Sequence, residues 1–257
     1  MAAPLHHAEQ GTGAPLVLLH AFPLTHAMWD AERAGSAAWR ILTPDLPGFG
    51  RSPRLREPSI IGMAEAVLAW LDHLGIREPI VVGGLSMGGY VALELVQRAP
   101  ERVRGLGLFS TRATADTPEQ RQARAALIEQ VRQRGAAAAL AGMRSKLLGP
   151  TTLGTNPAAV EQVTEWVGRA DAGGVSDALR AMAERRDHIE LLPAIACPAL
   201  IVAGAEDAVV PPSASEAMAR QLPRSTFVVI PGAGHLVNLE QPTRFHQALA
   251  GFLRGLV

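Results

Sequence analysis

Three short segments of this 257-residue chain hold residue types that do covalent chemistry together. The first is Gly84-Leu85-Ser86-Met87-Gly88, followed by Gly89. It comes after the apolar run Ile80-Val81-Val82 and opens a stretch with helical spacing, so it reads as a sharp strand-to-helix turn that presents a nucleophile. Such a turn is strained and needs small flanking residues, which Gly84 and Gly88 provide. Ser86 is thereby pushed out at a helix N-terminus, where unpaired N–H groups favour negative charge. A chain with 25 glycines can produce Gly-x-Ser-x-Gly by chance, so the weight lies on the strand before it and the helix after it.

A serine hydroxyl attacks poorly until a base takes its proton. Of the eight histidines, His235 in Pro231-Gly232-Ala233-Gly234-His235 is the best placed, on a small-residue loop just past the apolar run 226–230. His6, His7, His73, His188 and His246 fall on the N-terminal arm or on predicted helices and their ends, where a solvated side chain is the ordinary reading; His26 is a reserve base. An acid must orient the base. Asp207, in Gly204-Ala205-Glu206-Asp207 after the run 199–203, fits a Gly-x-x-Asp loop; Glu206 is its adjacent alternative and Asp116 a remote one. An acyl-transfer site also needs two N–H groups for the oxyanion. Met87, next to the nucleophile, offers one; Phe22, in His20-Ala21-Phe22-Pro23, offers the other, while Pro23 has no N–H and stiffens the turn. His20 is read as shaping this loop through backbone contacts rather than as a base.

The elements around these segments alternate. Strands are expected at 15–20, 40–43, 79–84, 103–109, 199–203 and 226–230, and helices at about 59–74, 86–98 and 243–253. Apolar strands alternating with helices imply an α/β fold, a mostly parallel sheet with helices on both faces. From 112 to 190 no strand is convincing. That stretch reads as helices at 118–134, 136–147, 156–170 and 175–185, broken at Gly149-Pro150 and Gly173-Gly174. It is longer than one crossover needs, so a helical cap over the carboxyl ends of the strands is expected rather than simple packing on the sheet's side. The expected organisation is a core of 1–111 and 191–257 and a cap of 112–190.

Composition closes off other classes. Lys+Arg and Asp+Glu are both 24, which gives no broad positive field for nucleic acid or anionic membrane. Cys197 is the single cysteine, so neither an intrachain disulfide nor a multi-cysteine zinc site is available. Lys146 is the single lysine and lies between Ser145 and Leu147, so there is no phosphate-binding Gly-Lys-Ser/Thr loop. No apolar run is long enough to span a bilayer, and residues 1–11 lack a basic-then-apolar leader, so a cytoplasmic protein is expected.

Taken together these segments resemble the α/β-hydrolase superfamily over almost the whole chain. His20-Ala21-Phe22-Pro23 is similar to the family's His-Gly-x-Pro oxyanion loop, with Ala21 in place of the glycine. Asp45-Leu46-Pro47-Gly48-Phe49-Gly50-Arg51-Ser52 resembles a segment that is mainly structural in the family. The order Ser86, Asp207, His235 is the family's order. The elbow sequence and compact cap look most like 3-oxoadipate enol-lactonases, related small esterases and cofactor-free haloperoxidases.

The resemblance implies a serine hydrolase acting on a small carboxylic ester or lactone, with Ser86, Asp207 and His235 as triad, Phe22 and Met87 as oxyanion donors, and neither metal nor organic cofactor. A non-catalytic ligand-binding protein on the same fold, a perhydrolase, and a carbon–carbon bond hydrolase with the same triad are the alternatives. The cap offers candidate substrate contacts. Trp166 is expected either to cover an acyl group or to pack the cap helices together. Arg144, Arg185 and Arg186 are each expected to be a solvated side chain or to hold a substrate carboxylate.

Overall fold

The computed structural model describes residues 4–34 and 38–256. The ends of the expected core at 1–3 and 257, and 35–37 within it, lie outside the described residues. A seven-stranded sheet runs in the order β1-β3-β2-β4-β5-β6-β7. Its strands are β1 (His7–Gln10), β2 (Ala14–Leu19), β3 (Trp39–Pro44), β4 (Ile80–Leu85), β5 (Val103–Phe109), β6 (Ala199–Gly204) and β7 (Ser225–Ile230). β1 pairs antiparallel to β3 and every other pair is parallel. β2, β4, β5 and β6 are buried along almost their whole length, as expected of strands in a parallel sheet covered by helices. Among the described residues β1 is the sheet's one antiparallel strand.

The flanking helices bury regular apolar stripes. α2 (Ile60–His73) turns Ile60, Met63, Ala64, Val67, Trp70 and Leu71 inward. Ser59 caps it by accepting from Gly62 N–H. α3 (Met87–Arg98) packs on β4 and β5 and is buried from Met87 to Val96. A short helix, α1 (Asp30–Ala34), precedes β3.

Six helices separate β5 from β6: α4 (Pro118–Arg134), α5 (Ala136–Leu140), α6 (Arg144–Leu147), α7 (Pro150–Thr155), α8 (Pro157–Gly168) and α9 (Ala172–Ala183). The structure differs here from the expected helices in three places. The helix at 136–147 is interrupted between α5 and α6. Gly149-Pro150 falls at the break after α6, as expected, but Pro150 also opens α7, a helix absent from the expected set, because proline fits the first position of a helix. Gly173 and Gly174 lie in the first turn of α9: a Cβ on Gly174 would sit 1.8 Å from the Gly48 carbonyl oxygen, so glycine here permits close approach rather than a turn.

After β6 come α10 (Pro212–Gln221), then β7, α11 (Val237–Glu240) and α12 (Pro242–Arg254). The sequence offered no reading of α10. α12 packs Phe245, Leu249 and Leu253 inward at i, i+4 and i+8. No described helix is long and apolar enough to cross a membrane.

Candidate active site

The sheet's register brings the chemical segments to one edge. β2 lies between β3 and β4, the point where the strand order reverses and where open parallel sheets hold ligands beyond their carboxyl ends. Leu19 of β2 pairs with Gly84 of β4, which sets the loop from His20 to Pro23 beside Ser86. Gly204 of β6 pairs with Ile230 of β7, so Asp207 and His235 emerge from neighbouring strands at the same edge.

Ser86 has φ 54° and ψ −112°, in the half of backbone space that disfavours a side chain. Its N–H donates to Phe109 O at 2.9 Å, and the Thr111 hydroxyl donates to Ser86 O at 2.8 Å. The glycines around it are sterically required. A Cβ on Gly84 would lie 2.1 Å from Gly88 O, and one on Gly88 would lie 2.2 Å from Leu19 O. A Cβ on Gly89 would meet the Thr111 side chain at 2.5 Å.

His235 and Asp207 are both buried, and His235 Nδ1 lies 2.8 Å from Asp207 Oδ2. The other carboxylate oxygen, Oδ1, accepts from Val209 N–H at 2.8 Å and Val210 N–H at 2.9 Å. One oxygen thus anchors the carboxylate to its own loop and the other holds the ring. With Nδ1 donating to Asp207, His235 keeps Nε2 for proton transfer. Ser86 and His235 line one cavity. No hydrogen bond joins Ser86 Oγ to His235 among the described residues; such contacts commonly tighten only in the substrate complex.

The neighbouring candidates are engaged elsewhere. Glu206 accepts from Thr151 N–H at 2.9 Å and from its hydroxyl. Those bonds hold the half-exposed carboxyl below the usual range. Asp116 is bound by Arg112, Arg124 and Arg185. Burial pushes its carboxyl up, but hydrogen bonds and charge from Arg124 and Arg185 outweigh that and hold it below the usual range. His26 bonds Asp45, His188 bonds Glu94, and His246 bonds Glu32.

On the other side of the nucleophile, Phe22 lines the cavity and Met87 is the first residue of α3, where an N–H has no partner within the helix. Ala21 is fully buried and its N–H reaches Met28 Sδ at 3.2 Å. His20 braces this loop: Nδ1 donates to Ala21 O at 3.0 Å and Nε2 accepts from Leu46 N–H at 2.9 Å. The accepting Nε2 requires a neutral ring, and burial brings its pKa down to about 4.

The segment after His20 leads to Asp45, a buried carboxylate that accepts from His6 Nδ1, from His26 N–H and Nδ1, and from Arg51 N–H. Burial raises it, and these bonds outweigh burial and hold it well below the carboxylate range. Among the described residues, His6, His26 and Asp45 are the one His/Asp group whose atoms approach closely enough for a metal, within 4.8 Å of one another. Both oxygens of that carboxylate are already taken by hydrogen bonds.

The cavity holds about 560 Å³, within the usual range for a small-molecule site. The strand-end loops supply Phe22, Ser86, Arg112, Val209, Val210 and His235, and α3 supplies Tyr90. The stretch between β5 and β6 supplies the rest: Gln120, Ala123, Arg124, Leu127 and Gln130 from one face of α4, Ala139 from α5, Gly142, Met143, Lys146 and Leu147 at α6 and just before it, and Leu179 and Met182 from α9.

The four cap residues singled out in the sequence do not line it. Trp166 is half-buried in a groove with Pro23, Phe49 and Arg51. Arg144 is exposed beside Leu153 and Pro157. Arg185 is buried; it bonds Asp116 at 2.6 Å and stacks 4.1 Å from the Tyr90 ring centroid. Arg186 donates to the buried Glu94 at 2.7 Å. The sequence reading missed Arg112, Gln120 and Arg124. The signal for Gln120 and Arg124 was the 3–4 residue spacing of Gln120, Ala123, Arg124 and Leu127 along a helix whose limits the sequence marked correctly; Arg112, in the loop after β5, had none.

An α/β sheet with a serine elbow, a buried His–Asp pair and a cavity between them defines a hydrolase class, and residues 14–242 match the model of the alpha/beta hydrolase fold family, to which the chain belongs. It is 30% identical to 3-oxoadipate enol-lactonase 1 of Acinetobacter baylyi, over 94% of this chain and 89% of that protein. It is 32% identical to the dihydrolipoyllysine-residue acetyltransferase component of an acetoin cleaving system from Pseudomonas putida; the alignment covers 94% of this chain and 64% of that protein's length. Among solved structures, a thermophilic esterase from Thermogutta terrifontis, with malate bound, superposes with a TM-score of 0.95 at 41% identity, covering 98% of this chain and 93% of that one.

Proposed function

We propose that this protein is a serine hydrolase of small carboxylic esters or lactones that works through an acyl-enzyme. The observation that carries the reading is the His235 Nδ1–Asp207 Oδ2 contact of 2.8 Å, buried at the wall of the cavity that Ser86 also lines. In this reading Ser86 Oγ attacks the substrate carbonyl carbon while His235 Nε2 takes the hydroxyl proton. Asp207 holds the ring and stabilises the imidazolium. The N–H groups of Phe22 and Met87 bind the oxyanion. His235 then returns the proton to the leaving alkoxide. Water, deprotonated by His235, attacks the acyl-enzyme and releases the acid and Ser86.

The helices of 112–190 act as the cap and determine which acyl or alcohol group fits. The esterase and enol-lactonase relatives support an ester or lactone as substrate, and the cytoplasmic location expected from the sequence is part of the same proposal. Perhydrolysis and carbon–carbon bond hydrolysis would use the same groups; a non-catalytic receptor would use none of them.

A panel of p-nitrophenyl esters of graded chain length, run beside lactones, tests the reading. Turnover of at least one ester or lactone that vanishes in Ser86→Ala supports it. Turnover retained in a folded Ser86→Ala protein contradicts it.

A further inference from the structure

The loop that carries His235 is held between the sheet and the helical stretch. On the sheet side, a Cβ on Gly204, the last residue of β6, would lie 2.0 Å from Gly234 O. On the other side, a Cβ on Gly234 would lie 2.3 Å from Gly149 N. The segment 147–151 runs from the last residue of α6 into the first turn of α7. It therefore presses directly on the residue before the base. Leu147, at its start, also lines the cavity.

Hydrogen bonds tie this segment to both loops of the His–Asp pair. Leu147 O accepts from Leu236 N–H at 3.2 Å. Glu240 Oε1 accepts from the same N–H at 3.1 Å, and Glu240 Oε2 accepts from Gly149 N–H at 2.7 Å. Glu206, next to Asp207, accepts from the N–H and hydroxyl of Thr151. Glu240 is buried, and among the described residues every partner of its carboxylate is a backbone N–H. A buried carboxylate is costly to keep for packing alone. Here its charge strengthens two bonds that join distant parts of the chain. A carboxylate suits two converging donors, whereas an amide would turn its own NH2 towards one of them. Leu236 follows His235 directly, so Glu240 fixes the peptide that carries the base.

We propose that the segment 147–151 clamps the His–Asp pair, with Glu240 as the positioning residue for His235. Glu240 holds the 235–236 peptide against Gly149, so that the His235 ring meets Ser86 and the substrate in the geometry that proton transfer needs. Glu206 is the corresponding tie for the Asp207 loop, through Thr151. Neither glutamate lines the cavity. The inference rests on the hydrolase reading above and adds residues that act through the base and the acid.

The test measures kcat and KM on the fastest ester of the panel, together with the NMR resonance of the His235 Nδ1 proton held by Asp207. Glu240→Gln keeps the length and volume of the side chain but loses one acceptor. Glu240→Asp keeps the charge but lacks the reach to span both N–H groups. Displacing a reacting group by about 1 Å costs on the order of 100-fold in rate, so kcat should fall about 10- to 100-fold in both variants, with KM within about twofold. The Nδ1 proton should shift in both. Wild-type kcat in Glu240→Gln would reduce Glu240 to packing, and wild-type kcat in Glu240→Asp would reduce it to a source of charge; either overturns the proposal. So does a loss carried by KM, or a proton that stays in place. If neither variant folds, Thr151→Val carries the test, because it cuts the tie to Glu206 at an exposed residue. Its kcat should fall about three- to tenfold, and an unchanged kcat overturns the clamp. A wild type that turns over no ester or lactone removes the hydrolase reading, and the Nδ1 proton then decides alone: a shift in both Glu240 variants keeps the clamp, and no shift overturns it. Turnover in wild type that both Glu240 variants retain removes the clamp and keeps the hydrolase.

Discussion

The loops at the carboxyl edge of the sheet and the helices between β5 and β6 build opposite walls of one cavity under different constraints. At the edge, backbone approaches backbone: Gly84, Gly88 and Gly204 each leave no room for a Cβ, with carbonyl oxygens 2.0–2.2 Å from where it would stand. In the helical stretch the same closeness occurs where Gly149 and Gly174 meet the loops of the core, but Gly142, Gly154 and Gly168 have nothing within 4 Å of a Cβ. The first wall dictates residue types at fixed spacing. The second tolerates many residues, and its lining depends on how each helix is rotated. In the proposed function, the reacting groups sit on the first wall and selectivity on the second.

Breaking the edge should abolish turnover of every substrate. His235→Ala is expected to lower kcat about a million-fold if the triad acts as a unit, and Asp207→Asn by about ten-thousand-fold through loss of the correct tautomer. Equal losses across the esters of the panel would keep the two walls separate in role. A loss confined to one ester would merge them. Phe22→Pro removes one proposed oxyanion donor and should cost about a hundred- to a thousand-fold in kcat with the fold retained, as judged by circular dichroism. An unchanged kcat would assign that donor elsewhere.

The brace under the edge makes a prediction about stability. His20 is neutral when folded, with its pKa brought down to about 4 from an ordinary 6.5. Between these two values the unfolded chain binds a proton that the folded one does not, so stability is fully present above pH 6.5 and is lost as pH falls towards 4. The ceiling of this contribution is about 3 kcal/mol, from 1.36 kcal/mol per pKa unit. Urea midpoints taken from pH 7 to pH 4 should therefore fall more steeply in wild type than in His20→Gln. Parallel curves would show that His20 does not carry the effect.

The smallest effects sharpen the contrast through glycine alone. Gly88→Ala should destabilise by about 1–3 kcal/mol, since the new methyl meets backbone that cannot move aside. Gly168→Ala, in the last turn of α8, should stabilise by up to about 1 kcal/mol, because alanine favours a helix and meets open space. Thermal midpoints moving in opposite directions would support the comparison, and both falling would contradict it.

The same contrast explains what could be read in the sequence. The elbow, the acid loop, the base loop and His20-Ala21-Phe22-Pro23 were legible because their geometry admits few residues, and parallel strands fix which loops share an edge. α4 was legible to its exact limits because Thr117 caps it, Gln120 completes the capping box and Gly135 ends it. The cavity contacts were not. Arg185 and Arg186 look like any other arginine in a chain with 23 of them. Their partners Asp116 and Glu94 lie 69 and 92 residues away, and only packing reveals them. Trp166 shows the limit in another form, since helical spacing places it on α8 but not in a particular groove.

The central claim, that Ser86 is a nucleophile activated by His235 and Asp207, is tested most directly by a fluorophosphonate probe followed by peptide mass spectrometry. The account predicts one stoichiometric adduct on Ser86, absent in Ser86→Ala and strongly slowed in His235→Ala. A well-folded protein that takes no label, or labelling that persists in Ser86→Ala, would contradict it.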